Sequence, residues 1–202
     1  MTIRGETPDT RGSILTSIES GNMRIVSDGS YLKDKKRGAA GFIIEDEHRS
    51  FNIWGSISTP GEADVMCSHR SELSGILAAI RYILHTLGDD THMHGTIILG
   101  CDGESGILAI EWSRIWHVKS SVKHFDLLAA IVHSMNLVPG IKWVYKHVRG
   151  HKEKLVEYVR LGQWAQLNVI ADNVAKRRLT RDIRNRVSLS DVLAPFQLCS
   201  IQ

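Results

Sequence analysis

Two apolar runs in this chain end on carboxylates. Thr96-Ile97-Ile98-Leu99-Gly100-Cys101 is followed at once by Asp102, and Met23-Arg24-Ile25-Val26 is followed, after Ser27, by Asp28. Six residues with almost no polar side chain read as a strand buried on both faces. Such a strand needs helices above and below it. A carboxylate where such a strand ends is costly to desolvate unless something positive pairs with it.

The remaining elements fall into place around these two runs. Residues 22–28 form a first strand, and residues 39–44 and 51–58 two more. Residues 51–58 alternate Phe51, Ile53 and Ile57 with Asn52, Ser56 and Ser58, the period of a half-buried strand. Short polar connections (33–38 and 45–49) make the three an antiparallel meander. Pro60-Gly61 ends it. A helix follows, capped by Ser68, with Leu73, Ile76, Leu77, Ile80, Leu84 and Leu87 on one stripe. Residues 96–101 are the fourth strand. A short helix lies within 103–116, and another carries Phe125, Leu128, Ile131, Val132 and Met135 up to Pro139-Gly140. Residues 141–148 are the fifth strand. A last helix presents Val169, Asp172, Lys176 and Leu179 along one ridge. The order βββαβαβα predicts an α/β fold with a mixed five-stranded sheet and helices on both faces. Ligands gather at strand C-termini in such sheets. If the first and fourth strands are parallel neighbours, Asp28 and Asp102 converge.

The domain spans 22–180. Residues 1–21, broken by Pro8, Gly12 and Gly21, read as a poorly structured polar arm, and 181–202 as a basic, then apolar tail. With 43% hydrophobic and 23% charged residues the chain is of ordinary globular composition. No apolar run approaches the roughly 20 residues of a membrane span, so no membrane partner is expected. The first twenty residues lack the apolar core of a signal peptide. Three widely spaced cysteines, Cys67, Cys101 and Cys199, argue against a disulfide framework or zinc ribbon. They favour a reducing, intracellular setting, cytoplasmic or nuclear. The net charge of +3 conceals an asymmetry: residues 141–186 carry 12 Lys and Arg against 4 Asp and Glu. A basic segment of that density is the footprint of a polyanion partner, or a solvated helix face.

Glu72 borders the buried stripe of its helix, as Asp172 does on the last helix. Four carboxylates at inward positions, with no matching internal Lys or Arg, suggest a metal site with oxygen ligands. Each also has a simpler reading. Asp-Gly at 28–29 and 102–103 fits a turn. Glu72 fits an acid at a helix N-terminus, and Asp172 can pair with Lys176 one turn on. His92-Met93-His94 lacks partners at ligand spacing and reads as a loop.

Taken in order, these pieces resemble ribonuclease H of the type fused to reverse transcriptases. The matching segments are Ser27-Asp28-Gly29-Ser30, Ala39-Ala40-Gly41-Phe42, Arg70-Ser71-Glu72-Leu73, Gly100-Cys101-Asp102-Gly103, His147-Val148-Arg149-Gly150-His151, and Trp164 to Asn168 leading to Ala171-Asp172-Asn173-Val174-Ala175-Lys176. The resemblance covers about 22–179. It implies that Asp28, Glu72, Asp102 and Asp172 hold two Mg²⁺ ions, for which Mn²⁺ can substitute. It also implies that the RNA strand of an RNA/DNA hybrid is cut, and that His151 assists proton transfer or product release. A polymerase domain in a parent polyprotein is a further implied partner. Contacts to the hybrid would come from Ser30, Ser68, His69, Arg70, Trp112, Lys123, Arg149 and Lys152.

This sequence departs from the pattern in three places. His69 stands where many relatives carry amides that read the minor groove. The basic handle after the aromatic helix is reduced to Lys119, Lys123 and His124. An insertion over 152–167 separates His151 from Asp172. Trp112 and Trp116, one turn apart, fit either a DNA-strand contact or core packing. Two other readings compete. A proofreading-type exonuclease would need an Asp-x-Glu pair in the first strand, and the chain has Asp28-Gly29-Ser30. A non-catalytic relic would be expected to have lost a carboxylate.

Overall fold

A computed structural model describes residues 1–88, 92–116, 118–150 and 155–187. Eleven regular elements follow in order: β1 (Thr2–Arg4), α1 (Thr10–Glu19), β2 (Met23–Leu32), β3 (Arg37–Asp46), β4 (Asn52–Ser58), α2 (Ser68–Leu87), β5 (Gly95–Cys101), α3 (Glu104–Trp116), α4 (Phe125–Asn136), β6 (Ile141–His147) and α5 (Gln163–Arg184). A 3₁₀ turn at Tyr158–Arg160 lies in the expected insertion. The strands form one mixed sheet in the order β1-β4-β3-β2-β5-β6. β2, β3 and β4 are the antiparallel meander, and β5 and β6 run parallel to β2.

The sheet has six strands rather than five, because the first residues are not a free arm. Thr2–Arg4 pairs antiparallel with β4 from Thr2↔Ser56 to Arg4↔Trp54. Thr10–Glu19 is a helix whose Ile14 and Ile18 are fully buried. A three-residue strand and a Ser- and Thr-rich helix interrupted by Gly12 have little intrinsic preference for order. Burial of the two isoleucines against the main core stabilises them.

The layers segregate by strand alternation. Ile25 of β2, Phe42 and Ile44 of β3, and Ile97 and Leu99 of β5 point to one face, where α2, α4 and α1 close the large core. Val26 and Ile43 point to the other face, against Leu167 of α5. No helix among the described residues is long and apolar enough to cross a membrane.

Two close approaches fix how the helices meet the sheet. At Gly41 of β3 a Cβ would run into the Ala171 carbonyl, and would lie 2.7 Å from the Ala175 nitrogen and 3.0 Å from Val174 Cβ. At Gly29 of β2 it would lie 2.5 Å from the Glu72 nitrogen. Glycine at these positions lets α5 and α2 rest backbone to backbone on neighbouring strands. The first contact brings Asp172 toward β2, and the second brings Glu72.

Two boundaries differ from expectation. β2 does not stop at Asp28 but continues through Gly29 and Ser30 to Leu32, because β3 offers an unbroken partner from Asp28↔Gly41 to Leu32↔Arg37. Asp28-Gly29 is therefore strand, not turn. α2 is capped by Cys67 rather than Ser68, with the Cys67 sulfur accepting the Arg70 N–H at 3.4 Å.

Candidate active site

β2 and β5 end their parallel pairing at Ser27↔Cys101. Asp28 and Asp102 come next on adjacent strands. Asp28 is buried on the α5 side, the face of Val26. Its Oδ1 accepts the Gly29 N–H at 2.7 Å, and its Oδ2 lies 3.4 Å from the Asn168 side-chain nitrogen. Burial, then the charges of Asp102 and Asp172, and last that of Glu72, push its carboxyl up to about 8; the Gly29 N–H pulls the other way. Like-charged neighbours favour the protonated form of a buried carboxyl. Glu72 is also raised, by burial and then by Asp102. The other three sequence-predicted carboxylates therefore lie within electrostatic reach of Asp28.

Distances between elements agree. A Cβ at Gly103 would strike the Glu72 carboxylate, with its carbon 2.8 Å away, and one at Gly150 would lie 2.7 Å from Asp102 Oδ2. The turns after β5 and β6 thus leave space only for the absent side chains, and two carboxylates fill it. His147 Nε2 stands 3.1 Å from the Asp102 carbonyl oxygen.

The simpler readings of each carboxylate fare differently. Glu72 lies beyond the first turn of α2, which contains no acid, so it does not cap the helix dipole. His69 Nδ1 is 3.8 Å away, but burial and then Lys123 lower the imidazole's pKa, so at neutral pH this is not an ion pair. Asp172 does pair with Lys176, at 2.6 Å. Lys176 is more than half exposed, so this is a solvent-screened contact rather than a buried counter-charge.

The donor set suits a hard divalent cation. It is all oxygen, and it supplies few enough ligands for Mg²⁺ to keep water and substrate oxygens. Among the described residues no three His, Cys, Asp or Glu side chains close on one point as a finished cage.

Asn168 is a site residue that the sequence reading quoted only within a longer motif. It is 3% exposed, its nitrogen faces Asp28, and its Oδ1 has no hydrogen-bond partner. The available signal was its place one turn before Asp172 on the same helix ridge.

The expected nucleic-acid contacts separate into exposed and committed groups. Ser68, Lys123 and Arg149 are exposed, while Ser30 and His69 are half-buried. Trp112 and Trp116 are 62% and 68% exposed, with Ile115 at 64%, so they are not core residues. Arg70 corrects the expectation. It is 3% exposed, its Nε donates to the Pro60 carbonyl at 2.6 Å, and its guanidinium clasps both oxygens of Asp126. Each guanidinium nitrogen has a partner inside the protein, so Arg70 anchors the start of α2 to α4 instead of reaching a groove. Arg178, in the basic block, is likewise committed: it binds Asp182 at 2.9 Å, Ser58 Oγ at 2.8 Å and Thr2 Oγ1 at 3.3 Å. His151 and Lys152 lie outside the described residues, as does Cys199; Cys67 and Cys101 are free thiols.

Known structures share this architecture. LC11-RNase H1, isolated from compost by a metagenomic approach and solved in complex with an RNA/DNA hybrid, matches with a TM-score of 0.55 at 17% identity, over 80% of this chain and 99% of that one. The prototype foamy virus protease-reverse transcriptase matches with a TM-score of 0.53 at 16% identity, over 77% of this chain but 20% of that much longer one. A foamy viral protease-reverse transcriptase in complex with RNA/DNA hybrid matches with a TM-score of 0.51 at 14% identity. No family model and no curated relative matches the chain. These likenesses show the fold: the chain has the ribonuclease H-like architecture that the ordered motifs implied.

Proposed function

We propose that this protein is a ribonuclease H, a metal-dependent endonuclease that hydrolyses the RNA strand of RNA/DNA hybrids and comes from a retroelement reverse transcriptase. The observation that carries the reading is geometric: Asp28 and Asp102 follow the last paired residues of the parallel strands β2 and β5, and the Glu72 carboxylate lies against the turn at Gly103. Folding brings these four carboxyl groups together, and a bound dication would favour their ionised forms.

Asp28, Glu72, Asp102 and Asp172 would hold two Mg²⁺ or Mn²⁺ ions, which when bound activate an attacking water and neutralise charge on the leaving 3′ oxygen. The chain's own groups do the positioning. Asn168 and the Gly29 N–H orient Asp28 through its two oxygens. Arg70 and Asp126 hold the start of α2, so that Ser68 and His69 face outward beside Glu72. The neutral His69 ring offers a hydrogen bond to a base edge or a 2′-hydroxyl. Trp112 and Trp116 give α3 an aromatic face for the DNA strand, and Lys123 and Arg149 are exposed and would take phosphates. His151 would serve proton transfer or product release.

The test incubates labelled RNA/DNA hybrid, RNA duplex, DNA duplex and single-stranded RNA with protein and Mg²⁺. Cutting of the hybrid's RNA strand alone, abolished by chelator and restored by Mn²⁺, is the expected result. No cutting of any substrate, with hybrid binding intact, would instead assign a non-catalytic binding module. Trp112→Ala should weaken hybrid binding by about 5- to 100-fold, the scale of one lost base stack, and leave Tm nearly unchanged because the ring is exposed. A titration with chelator present measures this, and equal affinity would remove α3 from the interface.

A further inference from the structure

The outer surface of α5 carries a groove of about 630 Å³ that the carboxylate site does not use. It begins at Asn173, beside Asp172, and runs past Arg177 and Arg181 to Arg184. The three arginines recur at four- and three-residue spacing, so they share one stripe of the helix. A second depression of about 210 Å³ adjoins it and brings Arg4 and Trp54 next to Arg177 and Arg181. Arg4 and Trp54 are cross-strand partners where β1 joins β4. Trp54 is half-buried against Val26, Ile43 and Leu167.

Among the described residues, none of these four arginines is in an ion pair with a carboxylate. Asp182 lies on the same helix, but it is buried and held by Arg178. The face is thus a row of unneutralised guanidinium groups, and planar guanidinium forks match phosphate oxygens. One aromatic ring flanks the row. Arginines tracking a backbone beside a ring that can stack a base are the combination used for single strands. A bilayer would need a broad apolar stripe to bury, and apart from Trp54 only Val174 lines the two depressions as an apolar side chain.

We propose that this face binds the backbone of a single-stranded nucleic-acid segment that flanks the hybrid, with Trp54 stacking a base. The strand leaves the carboxylates at Asp172 and continues along α5. The inference rests on the proposed action at the carboxylate site, since that site supplies the hybrid whose flank is held.

The test uses the whole chain in chelator, so that nothing is cut. Two labelled probes are compared, a short blunt RNA/DNA hybrid and the same hybrid extended by about ten single-stranded nucleotides. Each is titrated at several salt concentrations against wild type, against the joint variant Arg177→Ala, Arg181→Ala, Arg184→Ala, and against Trp54→Leu with its melting curve recorded. Wild type should bind the extended probe at least about tenfold more tightly than the blunt one. Its log–log salt slope should be steeper by about 2, for three phosphate contacts at about 0.7 each. The arginine variant should lose both differences and keep its affinity for the blunt probe. Trp54→Leu, if it melts near wild type, should lose part of the tightening but not the slope. An extension that adds nothing in wild type, or a gain that survives the arginine changes, overturns the proposal. So does competition by polyglutamate as strong as by single-stranded DNA, which would mark an acidic-protein surface. Cleavage of the blunt hybrid in Mg²⁺ is scored separately. Cutting without an extension effect rejects the α5 surface alone. An arginine-dependent extension effect without cutting rejects the catalytic reading alone.

Discussion

Asp28→Asn is expected to lower hydrolysis of hybrid RNA by at least about a thousandfold, the scale of losing a principal charge-stabilising group, and to make the metal-free protein more stable. The second effect follows from the first residue's surroundings. Burial and three neighbouring charges hold the folded carboxyl up to about 8, whereas an unfolded Asp titrates near about 4. Between those values the folded chain keeps a proton that the unfolded chain has released. Unfolding therefore sheds a proton, and wild-type stability in chelator should fall as pH rises from about 4 to about 8, then level off. Asparagine cannot titrate, so the variant should lack that slope and melt higher at pH 8. Mg²⁺ should stabilise wild type more than the variant. The Gly29 N–H still finds an acceptor in the amide oxygen, and the unpartnered Asn168 Oδ1 can turn to accept from the new amide nitrogen. Thermal melts from pH 4 to 9, with and without Mg²⁺, read this out alongside turnover. Near-wild-type turnover would detach Asp28 from the chemistry, and an unchanged pH slope would mean that the four carboxylates do not share one field.

Gly41→Ala should be strongly damaging for so small a substitution. Its methyl group meets the Ala171 carbonyl and the Ala175 nitrogen, which are backbone and cannot swing aside. Relief requires α5 to lift from β3. Overpacking of this kind costs on the order of 3 kcal/mol, a drop in Tm of about 6–12 °C for a chain of this size. Asp172 moves with the helix, so hydrolysis should fall even where the protein remains folded. Gly162→Ala is the matched control, because a Cβ there meets nothing within 4 Å. Calorimetry of both variants, with cleavage measured well below the lower Tm, is the experiment. Equal stability of the two would mean that α5 does not pack on Gly41 as described.

Much of this was legible in the sequence because burial leaves periodic marks. The run at 96–101 announced a central strand, and the stripe from Leu73 to Leu87 announced α2. The carboxylates stood out against apolar surroundings. What stayed hidden depends on partners distant in sequence. Asp28-Gly29 has turn chemistry, and only the continuous ladder with β3 overrides it. α1 and β1 have weak local preferences and are ordered by docking. Periodicity puts Trp112 and Trp116 on one face of α3 but cannot say whether that face meets protein or solvent. Arg70 looks like a surface cation until Asp126, fifty-six residues away, closes on it.

Arg178 ties α5 to β1, the first strand. Its bond to Thr2 spans 176 positions and its bond to Ser58 spans 120. Contacts of such long range are paid for in loop-closure entropy before they return anything, which slows folding. On a ribosome, β2 to β6 emerge and can pair while α5 is still unmade. Val26 and Ile43 then have no cover, and β1 lacks the arginine that fastens it. The last of the four carboxylates to arrive is Asp172, carried by the helix that completes the sheet. A chain that ends before Gln163 should therefore lack Asp172 and leave Val26 and Ile43 of the sheet bare.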